Sequence, residues 1–145
     1  MRIVPFEIEH VEYLLANPLN DSAYFPREFG AEAAAFAKNG FAFSGIENGH
    51  LIGSAGLVMF WPGVAEAWLL ASEKIEVNKT KSARAVLREL KRLISENNLH
   101  RVQAITRSDK PELAKWTAFL RMRHEGRMQK FGSDEKDYER WAWVR

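Results

Sequence analysis

Val64-Ala-Glu-Ala-Trp-Leu-Leu-Ala-Ser72, the charged run over residues 73–79 and the segment 80–97 together decide how this chain folds. The first piece reads as a strand. In residues 80–97, Ala83, Val86, Leu87, Leu90, Leu93 and Ile94 recur at three- and four-residue spacings, so they share one face of a helix. Lys81, Arg84, Arg88, Lys91 and Arg92 occupy much of the other face. His100-Arg-Val-Gln-Ala-Ile-Thr106 then reads as a second strand. Strand, helix and strand on so short a linker predict two parallel strands joined by a right-handed crossover. The loop entering the helix presents free backbone N–H groups and the positive end of the helix dipole, which suits phosphate. That junction is the leading candidate for the working end.

Working outward, Arg2-Ile-Val4 reads as a short strand stopped by Pro5, and residues 7–16 as a helix with Ile8, Val11, Leu14 and Leu15 on one side. Residues 17–30 are rich in Pro, Asn and Gly and read as a loop holding Tyr24, Phe25 and Phe29; residues 31–38 favour helix. Residues 41–46 and 51–61 flank Asn48-Gly49, a strong hairpin signal, and Pro62-Gly63 turns the chain into the strand at Val64. These three strands form a meander. Ser108-Asp-Lys-Pro-Glu112 reads as a helix start, and the helix carries Leu113, Trp116, Thr117 and Leu120. Residues 127–131 and 138–144 read as a closing hairpin. One domain over residues 1–145 is expected.

The bulk properties narrow the function. At 145 residues, 46% hydrophobic and 28% charged, the chain has the composition of a globular domain with a real core. It contains no cysteine, which excludes disulfides, thiolate metal sites and cysteine nucleophiles. Acids near the N-terminus replace the apolar run of a signal peptide, so a cytoplasmic protein without membrane attachment is expected. His10, His50, His100 and His124 have no ligand spacing, so no metal is expected. No GxSxG, P-loop or GxGxxG is present. Basic residues such as Lys115, Arg121, Arg123, Arg127 and Lys130 are offset by acids; a formal charge of +2 argues against nucleic acid as a partner.

Strand, two helices, meander, helix, strand, helix and hairpin resemble the GCN5-related N-acetyltransferase superfamily over nearly the whole chain. Trp116-Thr-Ala-Phe-Leu-Arg-Met-Arg-His-Glu-Gly-Arg-Met-Gln-Lys-Phe131, followed by Asp137-Tyr138, is similar to that family's ending. Glu66-Ala-Trp-Leu-Leu-Ala-Ser72 resembles the acceptor-side strand of acetyltransferase-like proteins from bacteriophages and their hosts. The resemblance implies an α/β (α+β) fold: a mixed, mostly antiparallel sheet with one β-α-β crossover and flanking helices. It further implies acetyl-coenzyme A (acetyl-CoA) as co-substrate and direct transfer to an amine of a small molecule or protein.

Residue by residue, the family's pyrophosphate loop falls on Asn78, Lys79, Thr80, Lys81, Ser82 and Ala83, with Arg84 adding charge. Only Ala83 matches the motif, and Lys81 stands where glycine is expected. Pantetheine would pair with Leu69, Leu70 and Ala71. Glu66 is the candidate base; its bland alternative is a solvated carboxylate at a strand end. Thr117 falls where the family's tyrosine acid sits, and a core threonine is the plainer reading. The family's Asn falls at Lys110, and its Gly-Phe pair at Arg121-Met122. Trp68 and Leu70 share a strand face with Glu66 and either line a channel or pack in the core. The acceptor would be chosen by the loop over residues 17–30 and the closing hairpin. Exposed aromatics near the C-terminus would permit a homodimer. The alternative from another class is an inactive, structural or interaction protein with the same fold.

Overall fold

The computed structural model describes residues 1–16 and 41–145. The expected loop over residues 17–30 and helix over 31–38 lie outside the described residues. In chain order the elements are β1 (Arg2–Pro5), α1 (Ile8–Leu15), β2 (Ala42–Glu47), β3 (His50–Trp61), β4 (Val64–Ala71), a 3-10 turn (Glu73–Val77), α2 (Lys79–Glu96), β5 (Arg101–Arg107), α3 (Leu113–Phe119), β6 (Arg123–Met128) and β7 (Tyr138–Val144). The strands form one seven-stranded sheet in the order β1-β2-β3-β4-β5-β7-β6. Every neighbouring pair is antiparallel except β4 and β5, which α2 joins in parallel. The fold class expected from the resemblance is the one observed.

Period-two alternation in the central strands supplies a core on each face of the sheet. On one face, Trp68 and Leu70 of β4 pack with Phe6 and with Val11 and Leu14 of α1. On the other, Ala65 of β4, Val102 of β5, Ala55 and Leu57 of β3 and Phe43 of β2 pack with Leu90 and Leu93 of α2. Asn48 (φ +51°) and Gly49 (φ +76°) make the β2–β3 turn, with both turn residues in the left-handed region that a tight hairpin demands.

Three expectations need correction. The charged run before α2 is a 3-10 helix, not a loop. The helix expected from Ser108 begins only at Leu113, because residues 108–112 are spent in turns. The closing hairpin starts at Arg123 rather than at 127. Arg121, at φ +64°, ends α3 in the left-handed conformation, and buried Met122 anchors the chain directly afterwards. A bulge between His124 and Gly126 then shifts the β6–β7 register and disguises the strand's alternation in the sequence.

Candidate active site

The parallel ladder between β4 and β5 is short. It pairs Val64 with Arg101, Ala65 with Val102 and Glu66 with Gln103, and then stops. β4 continues along β3 as far as Ala71, and β5 continues along β7 as far as Arg107. Beyond Glu66 and Gln103 the two strands therefore diverge, and their facing backbone groups are not joined to each other. The sheet opens into a wedge, with Leu69, Leu70 and Ala71 on one wall. Leu69 is 40% exposed while its neighbour Leu70 is fully buried. Trp68 and Leu70 are core residues against α1, so of the two readings open for their side chains the structure gives packing.

At the base of the wedge, Glu66 is only 3% exposed. It is the third residue of β4 and not a solvated strand end. Its registered neighbour on β5, Gln103, is likewise buried at 7%. Arg101, on the same face of β5, donates from Nε to the Gln103 Oε1 at 3.0 Å. Its terminal nitrogens clasp Glu125 of β6 in two hydrogen bonds, one of 2.9 Å. That bond with Arg101, reinforced by Arg140, holds the Glu125 carboxyl below its ordinary pKa. The polar line Glu125–Arg101–Gln103 thus ends beside Glu66. Gln103 was not singled out in the sequence: one polar residue within Val-Gln-Ala-Ile carries no motif, and only the ladder register reveals its neighbour.

The open end of the wedge leads to the start of α2. Ser72 closes β4 onto β3, its hydroxyl donating to the Leu51 and Ile52 carbonyls. The 3-10 turn then carries the chain to Asn78, whose carbonyl accepts from the Ser82 N–H at 2.9 Å as the first α-helical bond of α2. The Asn78 side chain does not cap the helix; its amide donates back to the Lys74 carbonyl at 2.9 Å. The N–H groups of Lys79, Thr80 and Lys81 consequently have no capping side chain. Ser82 is buried, Ala83 half-buried, Thr80 and Arg84 exposed. Leu69 of the wedge wall, Ile75 of the turn and Ser82 and Ala85 of α2 line one shared crevice.

The two lysines of this turn do not extend freely. Lys79 pairs with Glu76 at 2.7 Å, and Lys81 pairs with Glu47 of β2 at 2.7 Å. Arg84 has no ion-pair partner among the described residues. Thr117 of α3 is buried, and its hydroxyl donates to the Ala114 carbonyl within its own helix at 2.9 Å. The structure thus brings Leu69 and the α2 start into one crevice, while Glu66, at the end of the β4–β5 ladder, shares the α1 face of β4 with Trp68 and Leu70, and the Thr117 proton is held inside α3. Among the described residues no group of three or more His, Asp or Glu side chains is placed to hold a metal ion, and no helix is long and apolar enough to cross a membrane.

No family profile matches the sequence, and no curated protein matches it. Solved structures do match in three dimensions. A variant of the spermidine N-acetyltransferase SpeG from Vibrio cholerae superposes with a TM-score of 0.78 at 15% identity, covering 99% of this chain and 95% of that one. An acetyltransferase of the GNAT family from Bacillus anthracis gives 0.72 at 21% identity, covering 98% and 93%. A ribosomal-protein-alanine N-acetyltransferase from Brucella melitensis gives 0.77 at 12% identity, with both chains covered completely. At such identities the likeness is one of architecture. This chain has the GCN5-related N-acetyltransferase fold.

Proposed function

We propose that this chain is an acetyl-CoA-dependent N-acetyltransferase that passes the acetyl group directly to an amine while both substrates are bound. The observation that carries this reading is the end of the β4–β5 ladder at Glu66 and Gln103, beyond which Leu69 shares a crevice with the uncapped start of α2. The N–H groups of Lys79, Thr80 and Lys81 receive the diphosphate at the positive end of the helix. Arg84 adds charge, and Lys79 and Lys81 reach phosphate only by leaving Glu76 and Glu47. Leu69, Leu70 and Ala71, past the end of the β4–β5 ladder, pair with the pantetheine amides, as an added strand would.

Glu66 serves as the base, directly or through one water. The acceptor nitrogen bonds to the thioester carbon as the C–S bond breaks. The proton shed by the amine passes to Glu66 and on to solvent, and the departing thiolate takes a proton from water. Thr117 has no step here, because its hydroxyl is engaged by Ala114. The test is calorimetric titration with acetyl-CoA of the protein and of Lys81→Glu and Arg84→Glu. Micromolar binding weakened in both variants supports the reading, and no binding at millimolar ligand overturns it.

One observation favours a second reading, an inactive protein that keeps the fold for structural or interaction purposes. Lys81 replaces the expected glycine of the phosphate loop, and its ammonium is tied to Glu47. The same titration separates the two.

A further inference from the structure

Lys81 stands where the phosphate end of the site needs a cation, and its ammonium is already engaged. It belongs to the first turn of α2, while its Nζ lies 2.7 Å from Oε1 of Glu47 at the end of β2, 34 residues earlier. The partners are unlike: the Lys81 side chain is 59% exposed and that of Glu47 only 14%. Lys81 is therefore the member that can swing away, on a flexible stem in water, and Glu47 the one held in place. Lys81, and after it the Met1 amino group, keep the Glu47 carboxyl well below the usual carboxylate range. Glu47 thus stays charged through the neutral range, and protonation does not release the lysine there. A stronger anion can. A diphosphate offers more charge and more acceptor oxygens than one carboxylate. The exchange leaves no orphan, because the other Glu47 oxygen keeps the Met1 amino group at 2.7 Å. The Lys79–Glu76 pair differs: both side chains are more than half exposed and lie three residues apart in one stretch, so water screens the pair and it weighs little.

Resting on the acetyltransferase reading, we propose that Glu47 is a built-in competitor for the cofactor: Lys81 exchanges between the Glu47 carboxylate and the diphosphate of acetyl-CoA, and Glu47 thereby sets how tightly the α2 start holds phosphate. With Lys81 on Glu47 the two charges cancel, and the turn presents the N–H groups of Lys79, Thr80 and Lys81 together with the Arg84 guanidinium. A diphosphate gains the ammonium only by breaking the pair with Glu47, so the strength of that pair is subtracted from the affinity. A glycine at position 81 would have no such contact to give up.

The test is calorimetric titration with acetyl-CoA of the wild type, Glu47→Gln, Lys81→Met and the double variant at neutral pH. Glutamine keeps the length of the Glu47 side chain and removes the charge that holds Lys81. Glu47→Gln is expected to bind about fivefold more tightly than wild type. The same substitution made on Lys81→Met is expected to change the affinity by less than about twofold, because no lysine is left to release. A loss of structure would weaken binding, the opposite sign. The wild-type protein supplies an independent readout, which decides alone if Glu47→Gln does not fold. The Lys81 Cε signal in a 13C–1H spectrum, identified by its absence in Lys81→Met, moves as acetyl-CoA is added. Unchanged or weaker binding by folded Glu47→Gln, an equal gain in both backgrounds, or a Cε signal that stays in place while acetyl-CoA binds overturns the competition alone. Absence of acetyl-CoA binding in every variant overturns the functional reading and the competition with it.

Discussion

Lys81, in the first turn of α2, reaches across to the Glu47 carboxylate at the end of β2, 2.7 Å away. The second Glu47 oxygen binds the Met1 amino group, also at 2.7 Å. Lys81, and after it the Met1 amine, lower the Glu47 pKa from 4.5 to about 2. The pair ties the β2–β3 hairpin to the helix start that the functional reading assigns to phosphate.

A depressed carboxylate pKa contributes stability above its unfolded value and loses it as pH falls through the folded one. Wild type is therefore expected to exceed Glu47→Gln in urea midpoint at pH 6, with the gap narrowing from about pH 4.5 and closing near pH 2. A gap that is constant from pH 6 to pH 3 would show that the carboxylate's charge is not what Lys81 holds.

Glu66→Gln removes the proposed base while leaving the wedge walls in place. Acetyl transfer is expected to drop by about a hundredfold or more, and the acidic limb of the kcat/KM profile to vanish. Acetyl-CoA affinity should stay within about twofold, because the substitution lies below the wall proposed for pantetheine. An intact acidic limb in the variant would assign the base elsewhere.

Neighbouring leucines of β4 should behave oppositely. Leu70 is fully buried against α1, so Leu70→Ala is expected to cost about 2–5 kcal/mol in denaturant unfolding. Leu69 is 40% exposed on the wedge wall, and Leu69→Ala should fall within about 0.5 kcal/mol of wild type. Similar losses at both sites would contradict the alternation that places the two cores.

Arg121 holds a left-handed backbone, at φ +64°, that glycine adopts without strain. It falls at the position where the related family ending carries glycine. Arg121→Gly should raise stability by about 0.5–1 kcal/mol, measured as a higher urea midpoint at unchanged slope. Destabilisation would mean that the Arg121 side chain makes contacts worth more than the strain.

Much of this architecture was legible in the residues because it rests on local periodicity. Asn48-Gly49 marked the β2–β3 turn, and the stripe running from Val86 to Ile94 marked the buried side of α2. What was hidden depends on partners far apart in the chain. Lys81 reads as a phosphate ligand until Glu47, 34 residues earlier, is seen beside it. Gln103 gains meaning only from its register with Glu66, and no residue type marks the end of the ladder at that pair. The start of β6 was misplaced because the bulge before Gly126 breaks the period-two pattern. Thr117 was aligned by counting back along a helix, and counting does not reveal that its hydroxyl turns to Ala114.

The sheet treats its edges unequally. One outer edge, β6, is studded with Arg123, His124, Glu125 and Arg127 and bent by a bulge, devices that discourage an extended chain from adding there. Its inner edge, above Glu66 and Gln103, is left unzipped. Whatever closes that seam completes hydrogen bonds the folded chain has left unjoined across it, so occupancy and unfolding free energy must rise together. Resistance of this protein to heat then rises with any molecule that fills the seam, whatever its chemistry.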